Sequence, residues 1–181
     1  LYPAFTPPES ETEGKDGPTL ARAIGHHEVI IESPNHDEHP SVARIPQLVH
    51  VVNAYIDRLN DLSNKNYVKY VSIFRNHGRD AGMSLSHAHT QLITTPFVPR
   101  VIKEETQTSK MFWRESGKCV FCEILGKERD SSRFIWENDD FLAFAPWASV
   151  HPYEFWVFPK RHQPTLLNLP GSEIRSLAQA L

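Results

Sequence analysis

Residues 84–92 read Ser-Leu-Ser-His-Ala-His-Thr-Gln-Leu. On an extended strand alternate side chains share a face, so His87, His89 and Gln91 project together. Two imidazoles and an amide on one face can hold a metal ion, attack phosphorus or line a wet groove. The run just upstream, Arg75-Asn76-His77-Gly78-Arg79-Asp80-Ala81-Gly82, is polar and carries two glycines. Glycine lets backbone come close to a ligand, and Asn76, Ser84, Gln91 and the backbone at Gly82 supply dipoles suited to phosphate oxygens. An imidazole so placed can attack the α-phosphorus of a phosphoanhydride. That attack makes a covalent nucleotidyl-histidine and divides a difficult transfer into two steps.

A second chemical set is Cys119-Val120-Phe121-Cys122. A Cys-x-x-Cys knuckle brings two thiolates to one tetrahedral ion, and zinc is the usual occupant. A redox pair would open a helix after a strand, and Glu115-Ser116-Gly117-Lys118 is not strand-like. Two core thiols are the remaining alternative. His162 is the best third ligand.

These residues need elements to position them. Residues up to Arg22 are rich in Pro, Glu, Gly and Thr and read as loop. Residues 28–32 form an apolar β-branched run, a buried strand. From Ile45 the residues Leu48, Val49, Val52, Tyr55, Ile56, Leu59 and Leu62 recur at helical spacing, with Pro46 in the first turn. Residues 67–74 read as a strand, and residues 90–95 continue the strand that bears the histidines. Residues 100–118 are polar and read as a connecting segment with some helix. Residues 134–136 and 141–144 read as paired strands around Asn138-Asp139-Asp140, and residues 154–158 as another buried strand. A last helix begins at Ser172, read as its cap.

Two of these pieces repeat. His27-Glu28-Val29-Ile30-Ile31-Glu32-Ser33-Pro34-Asn35-His36 aligns with Tyr153-Glu154-Phe155-Trp156-Val157-Phe158-Pro159-Lys160-Arg161-His162. Each is a strand that opens on Glu, ends in a turn closed by His, and is followed by an Ile/Leu-Pro pair that starts a helix. This self-similarity points to duplicated α+β units. It also marks His36 as a metal ligand, in the place His162 takes in the other copy. His50 falls on the polar side of its helix, and His26, His27, His39, His77 and His151 carry no assignment.

Bulk properties narrow the classes. A chain of 181 residues buries a core without staples, and a net charge of −3 leaves no footprint of nucleic-acid binding. No apolar run approaches the ~20 residues that span a bilayer, and the given sequence does not open on a signal-peptide pattern of charge, apolar stretch and small cleavage site. Two cysteines exclude a disulfide scaffold and fit a reducing compartment.

The pattern Asn76-x-Gly78-x-x-x-Gly82-x-Ser84-x-x-His87-x-His89-x-Gln91 resembles the active-site motif of the galactose-1-phosphate uridylyltransferase family, a branch of the histidine-triad superfamily. Residues 28–36 resemble its strand leading to a metal-ligand histidine, and residues 155–162 its second-half strand ending in Pro-Lys-x-His. The resemblance implies an α+β fold of duplicated histidine-triad-like units, an antiparallel sheet with helices packed on it. Residues 1–100 would be the first unit, 101–118 the connection and 119–181 the second, with each unit continued beyond the given sequence.

Residue by residue, the resemblance makes His89 the nucleophile that is uridylylated and Gln91 the amide that holds the phosphate. It makes His36 and His87 ligands of a first zinc, and Cys119, Cys122 and His162 ligands of a second metal, zinc by preference over iron. Asn76, Gly82 and Ser84 would contact phosphates, Tyr2 would lie beside the base, and Val29 would line the nucleoside pocket. Nucleotide sugar and hexose 1-phosphate would be the substrates of a cytoplasmic homodimer with no nucleic-acid or membrane partner. The family's upstream cysteine pair, its phosphate-binding arginines and its hexose-binding residues have no match in this sequence. An ADP-sugar or dinucleoside-polyphosphate phosphorylase shares His-x-His-x-Gln and is the alternative enzyme, and a zinc-stabilised binding module is the non-catalytic one.

Overall fold

The residues at helical spacing after Arg44 form α1 (Ile45–Ser63), with Pro46 in its first turn, where a missing N–H costs nothing. Its buried stripe of Leu48, Val51, Val52 and Leu62 faces a three-stranded antiparallel sheet. The sheet consists of β1 (His27–Ile31), β2 (Tyr70–Phe74) and β3 (His89–Thr95) in the order β1-β3-β2. The computed structural model describes residues 5–7 and 23–181, and Tyr2 lies outside the described residues.

The register sorts the side chains of this first unit onto two faces. Ile31 pairs with His89, Val29 with Gln91 and His27 with Ile93, while Phe74 flanks Gln91 from the other side. Directly paired residues share a face, so His27, Val29, Ile31, Phe74, His89, Gln91 and Ile93 lie together. The opposite face carries Thr90, Leu92 and Thr94, all buried, under α1. There Arg58 of α1 donates from Nε and Nη2 to the two carboxylate oxygens of Glu28, at 2.7 and 2.6 Å. Helix and strand are thereby tied by a bidentate pair as well as by apolar burial.

The second unit is Arg100–Leu181, the first being Leu1–Pro99. It has its own antiparallel sheet, ordered β4 (Phe134–Glu137), β5 (Phe141–Phe144), β6 (Trp156–Pro159). All four residues of the central β5 are buried, as continuous apolarity requires of a strand covered on both faces. The Asn138 side chain accepts from the backbone N–H groups of Asp140 and Phe141, which closes the β4–β5 turn. Helix α2 (Arg100–Ser116) packs on α3 (Val120–Glu128), and α4 (Gly171–Ala180) packs on β5.

Three local expectations change. Residues 100–118, polar enough to read as a connection, are mostly one 17-residue helix. Pro170, not Ser172, stands at the N-cap of α4, and Ser172 lies inside the helix. The histidine-bearing strand begins at His89, so His87 sits in the bend before it.

Leu92 is 0% exposed at the centre of the first sheet. Leu92→Ala is expected to cost about 2–5 kcal/mol, from lost transfer energy plus the cavity left behind. Ile135→Ala, at a residue 53% exposed, should stay within about 0.5 kcal/mol. Urea denaturation of both variants measures the contrast.

Candidate functional site

The side chain at the head of β3 is set by backbone carbonyls. His89 is 4% exposed, and its Nδ1 lies 2.8 Å from the carbonyl oxygen of His87. A carbonyl only accepts, so Nδ1 carries the proton and Nε2 keeps its lone pair. His87 is fixed in the opposite sense: its Nε2 donates to the carbonyl oxygen of Ser33 at 2.7 Å, which leaves Nδ1 available as a ligand atom. The His36 ring stands edge-on to His87 with centroids 5.2 Å apart, and its Nε2 is 3.2 Å from Ser86 Oγ. Thus the His36 and His87 rings come together, and His89 bonds through Nδ1 to the His87 backbone. A carbonyl bond to one ring nitrogen of His87 is the kind of contact that fixes the tautomer and orientation of an imidazole.

Beneath these histidines lies a buried polar knot. Glu32 is 4% exposed, and its backbone N–H donates to the carbonyl of Ala88, extending the β1–β3 ladder by one bond. Its carboxylate accepts from Tyr55 and Thr90, and its second oxygen lies 3.4 Å from Arg75 Nε. Arg75 also reaches His39 Nδ1 through Nη2 at 3.0 Å, and the His39 and His77 rings meet edge to face at 5.1 Å. Burial pushes the Tyr55 phenol far above its usual range, so it stays a neutral donor.

The polar run preceding β3 takes the shape its glycines allow. Gly78 has φ 82° and ψ 157°, and Gly82 has φ 79° and ψ 21°, with the single turn Arg79–Ala81 between them. A Cβ on Gly82 would lie 3.6 Å from Asn76 Nδ2, so the amide of Asn76 rests against this loop. Gly82 and Ser84 are exposed and Asn76 half-buried. Val29, 42% exposed, shares the face of Gln91.

In the second unit Cys119 is the N-cap residue of α3 and Cys122 lies in its first turn, while His162 follows β6. The two Sγ atoms and a ring nitrogen of His162 lie within 4.8 Å of one another. Cys122 Sγ is 3.4 Å from His162 Nδ1. Burial, and next the neighbouring Cys119 thiol, push the Cys122 thiol up. The three donors line a cavity of about 400 Å³ with Arg161, and Glu105 is on its wall but outside the trio.

Sequence reasoning left His27 without a role. Its Nε2 is 3.0 Å from Gln91 Oε1, diagonally across β1 and β3. Alternation back from Val29 places it on the same face, which was the available signal. The contacts of Glu32 and Arg75, by contrast, depend on long-range packing that no local pattern shows.

The chain superposes on a solved uridylyltransferase with a TM-score of 0.89 at 30% identity, covering 99% of this chain and 57% of that one. The class is therefore an α+β protein with antiparallel sheets, of uridylyltransferase fold. The sequence profile of the galactose-1-phosphate uridyl transferase N-terminal domain matches residues 5–99, and the chain belongs to that family. It is 32% identical to the galactose-1-phosphate uridylyltransferase of Thermotoga maritima, over 99% of this chain and 57% of that protein. It is 34% identical to the ADP-glucose phosphorylase of Arabidopsis thaliana, over 90% of this chain and 46% of that protein. The chain thus spans about half the length of the curated relatives it matches.

Gly78 and Gly82 allow a direct check of the loop. Gly82→Ala is expected to cost about 1–2 kcal/mol for a left-handed residue. Gly78→Ala should cost more, because its φ and ψ lie in a region essentially restricted to glycine. Thermal unfolding of the two variants should rank them in that order.

Proposed function

We propose that the polypeptide containing this chain is a UDP-glucose–hexose-1-phosphate uridylyltransferase working by a ping-pong route through His89. The observation that carries this reading is the hydrogen bond from His89 Nδ1 to the His87 carbonyl, which leaves the lone pair of this buried imidazole on Nε2. Nε2 attacks the uridine-side phosphorus of UDP-glucose, and the bond from that phosphorus to the bridging oxygen breaks. Glucose 1-phosphate departs with the electron pair, leaving uridylyl-His89. A phosphate oxygen of galactose 1-phosphate then attacks the same phosphorus, the P–N bond breaks, and His89 is restored with UDP-galactose as product. Gln91 donates its amide N–H to the phosphate oxygens as charge builds on them, with Asn76, Gly82 and Ser84 nearby in the loop. Val29 and Tyr2 border the nucleoside in this reading.

The Cys119, Cys122 and His162 donors fit a metal ion. His36 and His87 would hold one zinc, and Cys119, Cys122 and His162 another, with iron the alternative at the second. Bound there, the ions supply rigid cross-links between segments, and the ring nitrogens and sulfurs are suited to zinc. The two units are then copies of one ancestral unit: β1 followed by α1 corresponds to β6 followed by α4, and the turns after the strands carry His36 and His162. We divide the chain as 1–100, 101–118 and 119–181 on that basis. The same reading takes the enzyme as a cytoplasmic homodimer, the free thiols suiting a reducing compartment. No described helix is long and apolar enough to cross a membrane.

A second reading, an ADP-sugar phosphorylase, is favoured by the 34% identity to the Arabidopsis relative. It uses the same His89 chemistry with inorganic phosphate as acceptor. Full-length protein incubated with UDP-glucose or ADP-glucose, each labelled at the nucleoside-side phosphorus, separates them. Acid-labile label from UDP-glucose that is lost in His89→Ala supports the transferase, and label from ADP-glucose alone supports the phosphorylase. Absence of label from both donors overturns covalent transfer. For the metal, Cys119→Ser and His162→Ala should each lower bound zinc by about one ion per chain, measured by elemental analysis, with unchanged content overturning the second site.

A further inference from the structure

We propose that His27 is a positioning residue that sets the orientation of the Gln91 amide for phosphate transfer. This rests on the reading of His89 as nucleophile. A glutamine amide has two ends of nearly equal shape and opposite hydrogen-bonding sense. Non-bridging phosphate oxygens only accept, so a useful Gln91 must turn its NH2 toward them. The flipped amide would set a carbonyl oxygen against an anion.

The sheet register supplies the means of choosing. His27 pairs with Ile93 and stands diagonal to Gln91 on the same face, within reach of a long side chain. Its Nε2 lies 3.0 Å from Gln91 Oε1. An amide oxygen only accepts, so this nitrogen is the donor and the contact occupies the acceptor end of the amide. Gln91 Nε2 is left for the substrate. Val29 and Phe74 flank Gln91 on the neighbouring strands and supply no side-chain polar atom that would favour one flip over the other. His27 therefore acts on the reaction through Gln91. Its effect falls on the step in which charge develops at phosphorus, and not on affinity for the donor.

The test is single-turnover labelling of His89 in full-length protein, with whichever of UDP-glucose and ADP-glucose labels the wild type. His27→Phe keeps the ring volume and removes the donor, and it should slow labelling about tenfold with the donor dissociation constant unchanged. His27→Gln places an amide N–H near the position of Nε2 and should restore the rate to within about threefold of wild type. Gln91→Ala should slow labelling about 100-fold, and adding His27→Phe to it should change nothing further. The inference is overturned if His27→Phe labels at the wild-type rate, if His27→Gln is as slow as His27→Phe, or if the His27→Phe loss persists undiminished in the Gln91→Ala background. A wild type that takes label from neither donor overturns the covalent reading itself, in an arm that contains no variant.

Discussion

Two backbone carbonyls divide the labour between neighbouring imidazoles that are chemically alike. The Ser33 carbonyl takes the Nε2 proton of His87, and the His87 carbonyl takes the Nδ1 proton of His89. One ring is left with a lone pair on Nδ1 and the other with one on Nε2, the division that the proposed metal and nucleophile roles call for. The β1–β3 register sets where those carbonyls and rings meet. A slip of one residue between β1 and β3 would send every side chain of the sliding strand to the other face, and the functional face would be lost.

What resists such a slip is the Glu32 knot. Its backbone N–H continues the ladder to Ala88, between the two histidines, while its carboxylate gathers Tyr55 from α1, Thr90 from β3 and Arg75 from the end of β2. Gln47 of α1 adds a bond to the Glu32 carbonyl. A buried carboxylate is costly unless it is paired. Here Oε1 accepts from Tyr55 and Thr90, while Oε2 has the 3.4 Å ion pair with Arg75 and no hydrogen bond among the described residues, so the pairing requires three elements to arrive together. The same requirement makes the knot a specifier of register. Ser33, the next residue, presents its carbonyl to His87.

Local patterns in the sequence account for much of this and fail where contacts are long-range. The spacing from Ile45 to Leu62 marks α1 because a helix repeats its face within a few residues, and the Asn138 turn is legible because one side chain closes it. The alternation of His87, His89 and Gln91 was sound for the last two. His87 departs from the strand because its ring bonds to Ser33, 54 residues earlier, a pairing that no window on the sequence contains. The same limit hid the amide partner of Gln91. Helix α2 was obscured for another reason: it is polar on average and none of its residues is buried, so its few apolar residues, although at helical spacing, are too sparse to read as a core-facing stripe.

The two histidine and cysteine clusters differ in what holds them without an ion. In the first unit the His87 ring is bonded to a carbonyl and the His36 ring to Ser86, so protein contacts alone hold the two rings. In the second, the donors come from the cap of α3, its first turn and the segment after β6, and the contact between them is a 3.4 Å approach of Cys122 to His162. A helix N-terminus lowers a thiol's proton affinity, yet burial and the Cys119 thiol push Cys122 the other way. Two thiols forced together beside an imidazole are a poor resting arrangement and a good one for a divalent ion. The first cluster is thus tied by hydrogen bonds to backbone and to Ser86, whereas in the second the described contacts are those among the donors themselves.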